Sequence, residues 1–444
     1  MPASVLLTTP NPKPQRRIFY GWYILGVILL TGLFAGPTSQ VFIGILVDPI
    51  SEDTGWSATA IAGAVTVGGV LAGVGSPLVG FLADRYSPRV LMTLGVVLMG
   101  ASFFLIAAAP GVWVLMAGYA IARGIAQNMI AGVVPRVVAV NWFRRMRGRA
   151  IGLVGTAHPI GTFVLGPVAL LIISAGYNWR SVWVVLGIAV IVFLVLPNAL
   201  IIRRTPEEMG LLPDGDDVTE AGGQAAVEAS AREAAQSWTF REAMRTPSFV
   251  LILIAIVLTN YGGGGLPFHM PQYYGQEGFA VQIGVAAVSM FAISGAFANT
   301  LWGFLAERIS ERLLGIFTML MGTALALGFQ FVSNPVVAVA YGVLLGVASR
   351  GEGSILMILI ANYYGRRSYG AISGVVQTAL LVGLALGPLI MSMVRESTGS
   401  YLPVFYSAAV TFTIAAVLLA LAVKPKRPQH APNAAINAEG DSQP

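Results

Sequence analysis

Long uncharged runs dominate this sequence. Stretches of about 20 mostly apolar residues recur along the chain between short charged interruptions, and about 20 residues of helix cross a bilayer core about 30 Å thick. Such runs must be helical, because in lipid the backbone has to satisfy its own hydrogen bonds. We therefore predict an all-α membrane protein. Its twelve transmembrane helices are predicted at residues 20–46, 58–83, 90–109, 112–140, 149–175, 180–202, 247–271, 281–305, 312–332, 335–361, 369–394 and 402–423.

The composition excludes a water-soluble domain and most enzyme chemistry. Hydrophobic residues make up 56% of the chain and charged residues only 10%, whereas soluble domains carry about 25% charged residues. The sequence has no cysteine, which excludes disulfides and thiolate chemistry. It also has no nucleophile triad, phosphate-binding loop or metal-ligand cluster. We expect no enzyme activity, no cofactor and no metal site.

The basic residues are distributed unevenly between the two sides of the predicted membrane. Of the 26 lysines and arginines, 21 fall in the two tails and in alternate loops, and only Arg180 and Arg395 fall in the intervening loops. Cytoplasmic loops carry an excess of basic residues. We predict a multi-pass protein of the cell membrane with both termini in the cytoplasm. Topology then accounts for the net charge of +6, and we expect no nucleic-acid binding.

The chain divides into two similar halves. Residues 203–246 hold no membrane-spanning run, and we interpret them as a cytoplasmic linker between bundles at 20–202 and 247–423, with tails at 1–19 and 424–444. The six residues from Gly80 read GFLADR, and the six from Gly303, 223 positions later, read GFLAER. This repeat predicts two pseudo-symmetric six-helix bundles, an arrangement that suits alternating access to a site between them.

The repeated hexapeptide resembles the signature turn of the major facilitator superfamily between its second and third helices. The resemblance implies the fold of that family and a cytoplasmic latch, which we assign to gating rather than to substrate binding. Glycine permits close helix approach, and the charged residues can bridge helix ends. The residues assigned to gating are Gly80, Asp84, Arg85, Arg89, Gly303, Glu307 and Arg308.

A narrower resemblance rests on five short motifs. They are YGWY at 20–23, GWS at 55–57, NWF at 141–143, TPEEMG at 205–210 and FREA at 240–243. Together they are similar to the bacterial monocarboxylate transporter and oxalate:formate antiporter group. In the superfamily, helices one, four, seven and ten line the cavity, and the polar residues of this chain fall mainly on those four helices.

Few ionisable residues lie within the predicted helices, and each is a functional candidate because charge in lipid is costly. They are Arg123, Arg136, His158, His269, Arg350 and Glu352. Three arginines against one carboxylate predict a positive interior, which favours an organic anion as substrate. We assign Arg123 and Arg350 to the substrate site, with Gln127 on the face of Arg123. Arg136 lies 13 residues from Arg123, so regular α-helical geometry places it on another face, and we interpret it as structural.

Two residues are candidates for proton coupling, each with an alternative. Glu352 is either a buried salt-bridge partner or the carboxyl group that carries the coupling proton. His158 is either a hydrogen-bonded core histidine or a substrate donor and proton relay. Both alternatives stay open for each residue.

Glycines predict a helix break in the seventh helix, where Gly262–Gly265 are consecutive. The segment from Gly36 to Gln40 is a milder counterpart in the first helix. Because irregular backbone within a bundle must be buried or line a cavity, we place Gln40, Asn260 and Tyr261 near the transport path.

Asn299 occupies the position in the eighth helix where transporters of this resemblance place a substrate-binding cation, and Gln377 lies in the region of the eleventh helix where the oxalate type has a lysine. Both residues are substrate-binding candidates. The main hypothesis is a monomeric carrier of a mono- or dicarboxylate, coupled to a proton or exchanging a counter-anion. The alternatives are a proton-coupled efflux antiporter for amphipathic compounds and a non-transporting membrane sensor.

Overall fold

The computed structural model describes residues 19–215 and 237–426, apart from the side chains of Arg350 and Glu352. The two predicted tails and the centre of the predicted linker therefore lie almost wholly outside the described residues. Within these ranges most of the chain is α-helical. The helices are α1 (Tyr20–Phe34), α2 (Gln40–Thr54), α3 (Ala58–Arg85), α4 (Pro88–Ala107), α5 (Val112–Tyr119), α6 (Val133–Trp142), α7 (Arg147–Ser174), α8 (Trp179–Ile201), α9 (Phe240–Met244), α10 (Pro247–Gln276), α11 (Val281–Leu305), α12 (Glu311–Gly328), α13 (Pro335–Tyr364), α14 (Tyr369–Thr398) and α15 (Leu402–Leu421).

Eleven helical spans among the described residues are long and apolar enough to cross a membrane. The remaining predicted segment, residues 112–140, is present but is not one regular helix. Its backbone passes from α5 through two π-helical stretches, Ala120–Ala126 and Asn128–Gly132, into α6. The twelve predicted segments thus correspond to eleven spans of sufficient length and apolarity and to one segment that passes through two π-helical stretches.

The first segment breaks where its glycine and proline predict a break. α1 ends at Phe34, a 3-10 turn covers Gly36–Thr38, and α2 starts after Ser39, whose hydroxyl accepts the backbone N–H of Phe42 at 3.2 Å. A Cβ on Gly36 would overlap the backbone of α7 between Gly161 and Thr162. Glycine is therefore needed here for close contact between the first and fifth segments.

The break predicted in the seventh segment is wrong. α10 runs without interruption from Pro247 to Gln276 through all four glycines. Gly262 lies directly under the ring of Phe412, and Gly265 lies against Met391. Each glycine costs about 1 kcal/mol of helix propensity, but close packing by small residues stabilises helices in membranes. Packing thus outweighs propensity in α10.

The two halves meet mainly through two helix pairs, α3 with α14 and α7 with α11. A Cβ on Gly80 would overlap the carbonyl oxygen of Gly370, and a Cβ on Gly303 would overlap that of Gly148. The close approaches recur at repeat-related positions, as the pseudo-symmetry of the sequence predicts. We call this end of the molecule, where α3 and α11 end and α7 and α14 begin, the basic end. It carries the loops rich in arginine.

The described parts of the predicted linker lie against the basic end. The Asp214 carboxylate accepts backbone N–H groups from the loop before α7, at 2.7 Å from Arg145 and 3.3 Å from Met146. Glu207 forms a salt bridge of 2.8 Å with Arg366, which precedes α14. The linker therefore contacts both halves.

Candidate functional site

A cavity of about 240 Å³ lies between the halves. The fourth and fifth segments line it from the N-terminal half, and α10, α11, α13 and α14 line it from the other half. The polar residues of this lining are Arg123, Gln127, Asn128, Arg136, His158, Asn260, Asn299, Ser349, Ser354 and Gln377. None of the lining residues that the structure describes is Asp or Glu.

The cavity is closed toward the basic end. α7 from Arg147 to Thr156 and α14 from Tyr369 to Val376 have no exposed residue, because these parts of the helices pack against the other half. Farther from the basic end both helices become exposed, with Phe163 at 68%. Leu384 lines the cavity and is itself 37% exposed. The arrangement is that of a cavity open away from the basic end.

The irregular fourth segment brings both of its arginines to the cavity. If each π-helical stretch holds one residue more than an α-helix would, the 13 residues from Arg123 to Arg136 cover about three turns. Arg123 and Arg136 both line the cavity. The interpretation that they lie on different faces assumed a regular α-helix, which the segment between them is not.

A buried asparagine accompanies the change in helix type. Asn128 is 5% exposed, and its amide donates to the carbonyl of Gly124 at 3.1 Å and to that of Ala72 on α3 at 3.0 Å. A side chain that bonds the carbonyl four residues earlier competes with the backbone for it. Asn128 thus ties the junction of the two π-helical stretches to α3.

Arg123 lies beside two glycines of α3. A Cβ on Gly69 would lie 3.7 Å from the guanidinium carbon, and Gly68 packs against the base of the same side chain. The guanidinium donates weakly to the carbonyl of Val65 at 3.5 Å. Among the described side chains no carboxylate pairs with Arg123. Its charge therefore faces the cavity without a described counter-charge.

Arg136 reaches across the cavity to the other half. Its Nη1 donates to Oε1 of Gln377 on α14 at 3.0 Å. No carboxylate pairs with this guanidinium in the described part of the chain. Sequence reasoning did not place Arg136 in the site, and the only signal was its ionisable side chain within an apolar run.

His158 joins three segments of the N-terminal half. Its Nε2 lies 3.2 Å from Nε2 of Gln127 and 3.4 Å from the hydroxyl of Thr38 in the 3-10 turn of the first segment. The broken first segment, the irregular fourth segment and α7 therefore converge on one imidazole.

Two asparagines, Asn260 and Asn299, are among the polar residues that the C-terminal half contributes to the lining. The hydroxyl of Ser354 donates to Oδ1 of Asn299 at 2.9 Å, and Nδ2 of Asn299 donates to the carbonyl of Gly295 at 3.2 Å. Asn260 donates to its own helix, to the carbonyl of Ile256 at 2.9 Å. The serine was not among the sequence candidates, because a lone serine in an apolar helix gives no distinguishing signal.

Three candidates lie elsewhere, and one of them is His269, whose Nε2 lies 3.4 Å from the carbonyl oxygen of Pro388. Tyr261 is buried and points toward α15, where its hydroxyl lies 3.0 Å from that of Ser407. Gln40 is exposed in the first turn of α2 and is not part of the lining. Arg350 and Glu352 belong to α13 between the lining residues Ser349 and Gly353, but their side chains lie outside the described structure, so their assigned roles stay predictions.

The residues assigned to gating lie at the basic end. Both carboxylate oxygens of Asp84 accept backbone N–H groups at the start of α14, from Gly370 and Ala371, each at 2.8 Å. Glu307 accepts the backbone N–H of Arg149 at 2.9 Å and its Nε at 2.6 Å at the start of α7. We call these the Asp84 clamp and the Glu307 clamp.

The basic residues of the repeated turn lie at the surface. Arg85, Arg89 and Arg308 are exposed, and the guanidinium of Arg308 stacks on Phe304 at 4.7 Å from the ring centre. Of the residues assigned to gating, the two carboxylates rather than these arginines make described hydrogen bonds to the other half.

Three relatives resemble this chain in sequence. The oxalate:formate antiporter of Oxalobacter formigenes is 23% identical over 89% of this chain and 90% of its own length. Monocarboxylate transporter 12-B of Danio rerio is 23% identical over 78% of this chain and 75% of its own. The uncharacterised transporter YcxA of Bacillus subtilis is 30% identical, but the match covers 39% of this chain and less than half, 42%, of that relative.

The fold matches that of solved transporters. The proton:xylose symporter XylE superposes with a TM-score of 0.68 at 16% identity, covering 91% of this chain and 94% of that one. The family model described as Major Facilitator Superfamily matches residues 28–298 and 282–440. These matches confirm the predicted resemblance and the predicted fold. The chain belongs to the major facilitator superfamily and is a multi-pass membrane transporter, not an enzyme.

Proposed function

We propose that the protein is a secondary active transporter that carries a small organic anion, a mono- or dicarboxylate, by alternating access. One observation carries the proposal. Two guanidinium groups, those of Arg123 and Arg136, face one cavity whose described lining contains no carboxylate. An ionised group within the membrane is costly unless it is paired, and a carboxylate can bind arginine through two parallel hydrogen bonds. An anionic substrate would supply the missing counter-charge.

The size of the cavity agrees with this substrate class. Sites for drug-sized ligands occupy about 300–1,000 Å³, whereas this cavity measures about 240 Å³. The described lining also offers no carboxylate to a cationic drug. The efflux of amphipathic compounds is therefore less well supported than the transport of a small anion.

Two residues are proposed to carry the proton if transport is coupled to proton movement. His158 lies in the lining, bonded to Gln127, and Glu352 is the proposed alternative on α13. The antiporter from Oxalobacter formigenes is an exchanger by name, which makes exchange of two anions a second form of the same proposal. With the basic end in the cytoplasm, as the distribution of arginines predicts, the open side of the cavity would face outward and both termini would be cytoplasmic.

Counterflow into proteoliposomes tests the proposal. Liposomes preloaded with acetate, lactate, oxalate or succinate should take up the labelled form of the same anion, with and without a pH gradient. Arg123→Ala should lower the initial rate at least tenfold, whereas Arg367→Ala, which removes an exposed arginine outside the cavity, should leave it unchanged. Saturable uptake of none of the four anions would refute anion transport. A dependence on the pH gradient would separate proton coupling from exchange.

A further inference from the structure

The hydrogen bond from Arg136 to Gln377 belongs both to the cavity lining and to the contact between the two halves. Both residues line the cavity, yet Arg136 belongs to the N-terminal half and Gln377 to the C-terminal half. The next residue along α14, Thr378, donates to the carbonyl of Gly73 on α3 at 2.6 Å. Gln377 therefore lies at the place where the cavity ends and the closed contact between α3 and α14 begins.

The acceptor in this hydrogen bond carries no charge to balance that of the guanidinium. Arg136 carries a full charge, but its described acceptor is a neutral amide oxygen. A carboxylate adds to such a bond the attraction between opposite charges and can accept a second, parallel hydrogen bond from the guanidinium, which a single amide oxygen cannot do. Arg136 therefore interacts more strongly with its acceptor when a carboxylate takes the place of the amide.

We propose that the Arg136–Gln377 hydrogen bond is a substrate-sensitive link between the halves. The carboxylate of a bound anion replaces Oε1 of Gln377 as the acceptor of Arg136, and filling the cavity thereby removes one bond that holds the basic end closed. A ligand shifts a conformational equilibrium only by its difference in affinity for the two states. The exchange of acceptors supplies such a difference. This inference rests on the proposed function, because it requires an anionic substrate.

Two substitutions of Gln377 should act in opposite directions. Gln377→Glu places a carboxylate beside Arg136, which strengthens the link and competes with the substrate for the guanidinium. Gln377→Leu removes the acceptor and therefore the link. A residue with a merely structural role would lose stability in both variants without changing how the protein responds to an anion.

Separation of the halves can be followed with spin labels, since the natural chain has no cysteine. Tyr86→Cys and Arg367→Cys introduce one label site on each half at the basic end, and both positions are exposed. Distances between the labels are measured in nanodiscs during titration with acetate, lactate, oxalate and succinate. The thermal shift of the same samples reports binding independently. Thr378→Val is the matched control, because it removes a neighbouring bond between the halves that does not involve the cavity arginine.

In the parent protein, an anion that binds should lengthen the label distance. Gln377→Glu should raise the concentration required at least tenfold, and Gln377→Leu should lengthen the distance before any anion is added. Thr378→Val should respond at the parental concentration. If an anion binds but both Gln377 variants respond at that same concentration, the link is refuted while the proposed function stands. If no anion alters either thermal stability or distance in the parent, both are refuted.

Discussion

The two clamps at the basic end occupy repeat-related positions but use different bonds. The Asp84 clamp consists of two backbone N–H groups at the N-terminus of α14, where the helix dipole favours a negative charge. The Glu307 clamp uses one backbone N–H and the side chain of Arg149, which is 44% exposed. The first clamp depends on a fixed helix end, whereas the second is partly an ion pair that water and salt can weaken.

The two halves therefore share the positions of the clamp residues but not the donors that these residues bind. Aspartate reaches two successive amides of the neighbouring helix. Glutamate, longer by one methylene, reaches one amide and a guanidinium. In the Glu307 clamp only Arg149 is substantially exposed, and its guanidinium also stacks on Phe304, with 5.3 Å between the guanidinium carbon and the ring centre. We therefore expect the two clamps to respond unequally to equivalent substitutions.

The largest effect should come from the glycines beneath both clamps. Gly80→Ala and Gly303→Ala each place a methyl group against a backbone carbonyl of the other half, and backbone cannot move aside as a flexible side chain can. Each variant should prevent closure of the basic end, lengthen the distance between labels at Tyr86 and Arg367, and lower counterflow at least tenfold. Gly26→Ala, whose added Cβ would meet nothing within 4 Å, is the control. Normal counterflow in both variants would contradict close contact at this end.

The next largest effect should come from Asp84→Asn. An asparagine can accept only through its single oxygen, so one amide of α14 loses its partner, at a cost of about 1–3 kcal/mol. Counterflow should fall by about tenfold, and the distance between the labels should lengthen. Asp53→Asn is the control. Asp53 likewise accepts two hydrogen bonds, but from the side chains of Asn178 and Trp179, which belong to the same half. Equal losses in both variants would show that the effect is general destabilisation.

Glu307→Gln should have a smaller effect than Asp84→Asn. Its amide oxygen can still accept one of the two donors of Arg149, and the guanidinium that loses its acceptor is 44% exposed, so water can hydrate it. We expect a decrease in counterflow of about threefold or less. A loss as large as that of Asp84→Asn would mean that the two clamps are energetically equivalent despite their different bonds.

The smallest effect should be that of salt. Raising the ionic strength from about 0.05 M to about 0.5 M screens exposed charges, so of the two clamps it should weaken only the Glu307 clamp. In an Asp84→Asn background, where Glu307 is the remaining clamp, salt should lengthen the label distance further. The parent and Glu307→Gln should be nearly insensitive. Equal sensitivity in all three proteins would indicate that salt acts elsewhere.

Sequence patterns predicted the features that depend on average properties of a segment. The apolar runs, the repeated turn and the scarcity of acidic residues in helices identified twelve segments, two halves and a positively charged interior. They also led to Asp84 and Glu307, because an acidic residue that recurs four positions after a glycine in both halves indicates a contact that both halves make. These features do not depend on the exact rotation of any helix.

Features that depend on helix rotation and packing could not be predicted in this way. Arg136 lines the cavity together with Arg123 in a segment that contains π-helical turns, where Asn128 bonds α3, and the pattern of apolar residues does not reveal such turns. Gly262–Gly265 remain helical because neighbouring side chains fill the space beside them. The direction of Tyr261 is set by Ser407, 146 residues away.

The irregular fourth segment also has a mechanical consequence. A π-helical turn stores an additional residue, so its conversion to α-helix rotates the rest of the segment by about 100° while changing the length of the segment by only about 1.5 Å. Arg123 lies within the first such stretch and Arg136 lies beyond the second. Such a conversion would therefore rotate one arginine relative to the other about the axis of the segment, with little displacement of the helices packed around it.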